Sequence, residues 1–180
     1  MQAKPGEPVF ERPHAGLQAS FRSLVREFIA SGEPLVPFTL AFAHDDFDAF
    51  LARLDACSRG EGIPEAFVPH TTFWLVHAGE VVGVSNLRHA LTDKLRIEGG
   101  HIGYGVRPGA RRRGHATALL RSTLAVARGM GIGEALVTCA RANAASVATI
   151  LRCGGRYDSE AFVKHRGEVV QRYWIPTAAP

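Results

Sequence analysis

Between residues 17 and 32, LQASFRSLVREFIASG sets Leu17, Phe21, Leu24, Val25 and Phe28 at spacings of three and four, ahead of Gly32 and Pro34. That period predicts an amphipathic helix with a defined stop. DDFDAFLARLDACSRG, from Asp45 to Gly60, repeats it through Phe47, Phe50, Leu51 and Leu54, with acids in the first turn. The period then shortens to two. TTFWLVHAGEVVGVSNLRH predicts β runs from Thr72 to His77 and from Val81 to Leu87, joined at Ala78-Gly79-Glu80. HIGYGV (101–106) predicts a third strand, Arg111 to Met130 a long helix, EALVTC a fourth strand and Asn143 to Arg152 a short helix. GRYDSEAFVKHRGEVVQRYWI closes as a hairpin turning near Arg166-Gly167. This order predicts an α/β fold with a mixed, largely antiparallel sheet and flanking helices.

No repeat or linker divides the pattern, so residues 1–180 are expected to form a single domain, with 1–14 and 176–180 as flexible ends. A composition of 46% apolar and 21% charged residues is globular. MQAKPGEPVFERPH lacks the apolar core of a signal peptide and no run approaches a membrane span, so a soluble, cytoplasmic protein without membrane partners is expected. Cys57, Cys139 and Cys153 form no CxxC pair, and the eight histidines show no ligand spacing, so neither a disulfide framework nor a metal site is expected. The net charge of +4 is unevenly spread: His101 to Gly133 holds six arginines and no acid. A nucleic-acid surface would spread its charge and interleave aromatics, and this stretch has only Tyr104, which disfavours that partner.

The basic stretch reads HIGYGVRPGARRRGHATALL. Alternation puts Ile102, Tyr104 and Val106 on one face of the strand and leaves Gly103 and Gly105 bare on the other, so a ligand or a neighbouring element can approach closely. Ala116, Leu119, Leu120, Thr123, Leu124 and Ala127 form a stripe on a helix expected to begin near Arg112, which places RRRGHA in its first turn. The first amides of a helix lack internal partners and sit at the positive dipole end, where phosphate oxygens bind. Arginines there oppose the dipole by about 0.3–1 kcal/mol each unless an anion neutralises them. Gly114 lets the backbone approach, Ala116 stays small, and Arg111 and Arg113 supply charge. Neither of the familiar nucleotide loops, G-x-x-x-x-G-K-[ST] and G-x-G-x-x-G, fits.

RRRGHA fits the pattern Arg/Gln-x-x-Gly-x-Gly/Ala and, between a strand and a helix and ahead of EALVTC and Asn143-Ala-Ala-Ser146, resembles the acetyl-CoA loop of the GNAT N-acetyltransferase superfamily. NLRHALTDKL, GGHIGYGVRP and RYWI resemble a branch of predicted acetyltransferases. The resemblance implies a GNAT-like sheet with splayed central parallel strands, acetyl-CoA as acyl donor, no metal, and direct transfer to a primary amine in a ternary complex. It implies that the backbone of Arg111, Arg112, Arg113, Gly114, His115, Ala116 and Thr117 cradles the diphosphate. Tyr104, Gly105 and Val106 would pair with the pantetheine amides, and Asn143 would bond the same arm with Ser146 beside it. Without the resemblance, Asn143 is a helix N-cap and Ser146 a first-turn residue.

Attack on a thioester requires a neutral amine, and amines near pKa ~10.4 need a base. Glu98 and His101, at the head of the central strand, are the candidates, and the Val106 N–H is the candidate oxyanion donor. Many family members carry a tyrosine acid seven residues after the asparagine, where this chain has Ile150; Tyr173 on the last strand is the candidate substitute. Cys139 has no neighbouring histidine to support an acyl-enzyme route. Glu33, Asp45 and Asp46 are expected either to attract a cationic amine or to serve helix ends. The alternative to an enzyme is a non-catalytic acyl-CoA-binding regulatory module, and the apolar final hairpin offers a surface for a homodimer.

Overall fold

A computed structural model describes residues 7–178. The two amphipathic helices form as expected: α1 (Gln18–Ala30) and α2 (Phe47–Arg59), the second capped by Asp46 accepting from the Ala49 N–H at 3.0 Å and ended by Gly60. They bury Phe21, Leu24, Phe28, Phe47, Phe50 and Leu54 against Trp74, Val76 and Val84, one side of a four-stranded antiparallel sheet. That sheet runs β1 (Val9–Glu11), β2 (His70–His77), β3 (Glu80–Arg88) and β4 (Ile102–Val106) in order. Its central hairpin turns on Ala78 and Gly79 alone, both at positive φ, a two-residue turn whose twist matches the strands; Glu80 is already in the ladder opposite His77.

The chain crosses to a second sheet through α4 (His115–Gly129), after a short α3 (Asp93–Ile97) that precedes β4. The second sheet comprises β5 (Glu134–Ala140), β7 (Glu168–Pro176) and β6 (Arg156–Val163), in that order and wholly antiparallel, with α5 (Ala144–Arg152) between β5 and β6. Leu120 and Leu124 of α4 and Ile150 of α5 meet Leu87, Ile102, Val137 and Ile175, so one core spans both sheets on the side away from α1 and α2.

β4 and β5 share no ladder. The segment leading into β4 is clasped to β5, where the His101 N–H donates to the Leu136 carbonyl (2.7 Å), the Leu136 N–H donates to His101 Nδ1 (2.9 Å) and the Gly99 N–H donates to Thr138 Oγ1 (2.9 Å). Beyond that clasp the sheet opens, which agrees with the splay expected of the two central strands. Two expectations are corrected: Val9–Glu11, inside the segment expected to be a flexible end, pairs with Val76–Trp74, and Pro176 closes β7 opposite Glu134. The outermost parts of those ends, residues 1–6 and 179–180, lie outside the described residues. Among the described residues no helix is long and apolar enough to cross a membrane, and no group of three His, Cys, Asp or Glu is placed to hold a metal.

Candidate active site

The backbone pattern of β4 determines what its open edge offers. Arg88 N–H bonds the His101 carbonyl and Arg107 N–H bonds Val82, and Gly103 and Gly105 are registered opposite Asn86 and Val84. In an antiparallel ladder these bonded pairs alternate, so the odd positions face β3 while the N–H and C=O of Ile102, Tyr104 and Val106 point out toward β5. The Val106 carbonyl accepts from Arg111 Nε at 3.1 Å; no described residue takes the Val106 or Tyr104 N–H. An extended ligand with amides of its own can add to this edge.

Past β4, Pro108–Ala110 make one 3-10 turn, Arg112 takes a left-handed conformation (φ 61) and Gly114 another (φ 82). The helix therefore begins at His115 and not near Arg112, and the arginines lie in the loop before it, so the expected conflict between guanidinium groups and the first turn does not arise. The open helix end does: no side chain caps Gly114, the first intrahelical bond joins the Ala118 N–H to Gly114, and the amides of His115, Ala116 and Thr117 have no partner within the helix. A Cβ on Gly114 would meet nothing within 4 Å.

The arginines divide into two groups. Arg107 is buried, bonded to Glu27 (2.8 Å) and Ser23 (2.6 Å), and Arg111 holds Glu33 through two bonds of 2.6 and 2.8 Å. Arg111 thus pins the connection after α1 and holds the Glu33 carboxyl below its usual range, which removes it as a free phosphate ligand. Arg112 and Arg113 are exposed and bond no described residue. His115 turns its ring inward beside His77 (5.2 Å) with Nε2 unpartnered, and burial lowers its pKa, so only its backbone faces the loop.

The bare face of β4 is also filled from within. A Cβ on Gly105 would collide with the Val36 carbonyl and lie 3.2 Å from Phe28 Cζ, and one on Gly103 would lie 3.6 Å from Pro37. These glycines admit the Val36-Pro37 connection, so the close approach belongs to a neighbouring element. On the opposite face Tyr104 donates to or accepts from Ser146 Oγ at 2.9 Å, and burial raises its hydroxyl to about 12. Asn143 caps α5, its Oδ1 accepting from the Ser146 N–H at 3.0 Å, while its amide nitrogen bonds no described residue. Asn143 is therefore the helix N-cap, with its amide nitrogen left as a spare donor.

The three catalytic candidates do not hydrogen-bond one another. His101 is the clasp: with Nδ1 accepting from a backbone N–H, the neutral ring carries its proton on Nε2, and burial lowers its pKa to about 4. Neither nitrogen is then a base. Tyr173 is 3% exposed in the core and donates to Gln171 Oε1 at 2.8 Å, a poor position for an acid. Glu98, just after α3, pairs with His165 Nε2 at 3.2 Å. Ile150, at the expected tyrosine position, is fully buried in the shared core. Burial raises the Cys139 thiol, which keeps it protonated and unsuited to an acyl-enzyme.

Of the acids expected to attract a cationic amine or to serve helix ends, Glu33 is neutralised by Arg111 and Asp46 caps α2, while the Asp45 side chain is exposed and only its backbone carbonyl accepts from Arg22. The motif reading missed Arg88, whose guanidinium lies beside Gly103 and holds the carbonyls of Gly99 (2.9 Å) and Gly100 (3.1 Å). Its only signal in the sequence is an arginine closing an otherwise buried strand run.

The model of the "Acetyltransferase (GNAT) family" matches residues 35–154, two thirds of the chain. The chain belongs to that family. No curated protein matches it significantly. Among solved structures, yncA from Salmonella typhimurium with its cofactor acetyl-CoA is similar at 14% identity and a TM-score of 0.62, covering 96% of this chain and 95% of that one. Mycobacterium smegmatis RimJ in complex with CoA-disulfide is similar at 18% identity and TM-score 0.67, over 96% and 86%. The ribosomal-protein-alanine N-acetyltransferase from Brucella melitensis is similar at 15% and 0.64, over 93% and 99%. At these identities the likeness is one of fold. It extends the GNAT architecture beyond the matched segment, to nearly the whole chain.

Proposed function

We propose that this GNAT chain transfers the acetyl group of acetyl-CoA to the primary amine of a small molecule, by direct attack in a ternary complex. The observation that carries the reading is the uncapped, unobstructed start of α4 at Gly114, preceded in the chain by the exposed Arg112 and Arg113 and following the open edge of β4. The diphosphate fits at the amides of residues 113–117. The pantetheine amides fit the outward N–H and C=O groups of Tyr104 and the Val106 N–H, with Asn143 Nδ2 as a further donor. Acetyl-CoA supplies the activated thioester.

The amine nitrogen attacks the thioester carbon. The N–C bond forms, the C–S bond breaks to release a thiolate, and the ammonium proton passes to a base. Glu98 takes that role: His165 engages one of its carboxylate oxygens and leaves the other to accept a proton, whereas His101 Nδ1 is already used by the Leu136 N–H. The Val106 N–H, taken by the pantetheine arm, is not the oxyanion donor in this reading. No side chain is required as acid, because a thiol of pKa ~8.5 leaves as its anion. The reading of a non-catalytic acyl-CoA-binding module gains no support, since the chain belongs to an acetyltransferase family.

Calorimetric titration of CoA into wild type, Gly114→Asn and Gly114→Asp tests the site. Asn controls for the Cβ and the left-handed backbone; Asp adds only charge. The expected result is that Asp weakens binding at least about tenfold beyond Asn, ~1.4 kcal/mol. Equal affinities for the two variants would remove the diphosphate from this helix end.

A further inference from the structure

Arg88 is a partly buried charge that no acid among the described residues pairs. The last residue of β3, it is half-buried, and burial brings its guanidinium down to about 10, so it stays charged at neutral pH. Nη1 serves the carbonyls of Gly99 and Gly100, and the Phe38 ring, 5.5 Å from the guanidinium carbon, contributes a cation–π contact. Nε and Nη2 bond no described residue and are not among the sealed, unpartnered atoms, so both still meet solvent. The chain pairs its other interior arginine differently: Arg107 has Glu27 and Glu80. A guanidinium only partly withdrawn from water, with donors still open and no acid beside it, is a ready partner for an anion.

Its position says what could. A diphosphate at Gly114 lies off the Val106 end of β4, and an arm paired to the outward groups of Val106 and Tyr104 runs back toward Ile102, about 13 Å at the rise of a strand. The thioester end therefore falls near Gly103. Both terminal nitrogens of Arg88 lie 3.9 Å from where a Gly103 Cβ would be, on the face opposite Tyr104 and Ser146. Glu98, the base of the proposed reaction, directly precedes Gly99, whose carbonyl Arg88 holds.

We propose that Arg88 is a specificity-determining residue that binds an oxyanion, carboxylate or phosphate, on the acceptor, so that the preferred substrates are small amines carrying a negative group close to the nucleophilic nitrogen. This rests on the acetyltransfer reading and narrows its acceptor class. The amine lies toward Glu98 and the oxyanion toward Nε and Nη2, which places opposite protein charges against a zwitterion.

The test uses the full chain with acetyl-CoA and matched acceptor pairs that differ by the anion: phenylalanine against phenethylamine, histidine against histamine, and 2-aminoethyl phosphate against ethanolamine. Thiol release gives kcat and KM. The expected outcome is that the anionic partner leads by roughly tenfold or more in kcat/KM, and that Arg88→Gln removes most of that lead through KM. Arg88→Lys is expected to restore part of it, and both variants to keep the wild-type Kd for CoA. The carboxylate and phosphate pairs separate the two oxyanion sources. Equal or better use of the uncharged amines, or an Arg88→Gln variant that slows both partners alike, overturns the proposal while leaving acetyl transfer intact. If no pair turns over, titration of N-acetylglycine and N-methylacetamide into the CoA-loaded chain decides: selective binding of N-acetylglycine, lost in Arg88→Gln, supports the proposal, and no binding overturns it. Absence of CoA binding by the wild type overturns both readings.

Discussion

His101 shows how one side chain can be withdrawn from chemistry by its own hydrogen bonds. Its Nδ1 accepts from the Leu136 N–H inside the join between the two sheets, so protonation would place two donors face to face in a buried setting. Its pKa is accordingly lowered from 6.5 to about 4, first by burial and then by Arg96 and Arg88, and burial brings His70 to about 4 as well. A folded state that binds fewer protons than the unfolded chain loses stability as pH falls. The contribution of these two groups is complete above pH 6.5 and is lost between about 6.5 and 4. Urea midpoints measured across that window are expected to fall with pH, and His101→Asn, which keeps an acceptor oxygen but cannot titrate, is expected to flatten part of the slope. The same variant separates the clasp from catalysis, because a clasp mimic retains kcat and a missing base does not.

Among the elements, the contact between β4 and the connection after α1 is the tightest statement the backbone makes. Gly105→Ala would drive a Cβ into the Val36 carbonyl, and overpacking of this kind typically costs about 1–3 kcal/mol. Gly129→Ala, at the end of α4 with nothing within 4 Å, is expected instead to stabilise by about 0.4–1 kcal/mol through the unfolded chain. Equilibrium urea unfolding of both variants checks the contrast, and a neutral Gly105→Ala would mean that the connection does not rest on β4. Elements with a clear period were legible: α1, α2, both hairpins and the stripe of α4 follow from spacing, because each buries a regular face. α3 was not, since five residues carry no period, and β1 was not, since three residues between polar neighbours give no alternation to read. The open helix end at Gly114 was legible as exposed amides, though with the wrong helix start. Partner choice is a long-range property: nothing near Arg111 in the chain announces Glu33, 78 residues away, and nothing near Arg88 announces that no acid will meet it.

Over the whole molecule, the arginine-rich segment forms no basic stripe, in agreement with the expectation from its local charge and lack of aromatics. Arg107 and Arg111 are consumed by acids of the α1 region, and Arg121 reaches the Arg152 carbonyl at 3.3 Å. Arg128 is exposed at the far end of α4, about 20 Å along the helix axis from the loop at 1.5 Å per residue. Only Arg112 and Arg113 remain together, enough for one diphosphate and too few to follow a nucleic-acid backbone. Salt dependence distinguishes these cases quantitatively. A protein making 6–10 phosphate contacts on DNA loses about 10³–10⁵ in affinity between 50 and 200 mM salt, whereas two contacts lose no more than about tenfold. CoA titrations over that range are therefore expected to weaken by about tenfold at most, and a single-stranded oligonucleotide is expected to leave the CoA isotherm unchanged. A steep salt slope shared by CoA and oligonucleotide, with mutual competition, would return the loop to nucleic acid and separate the family's fold from its usual donor in this chain.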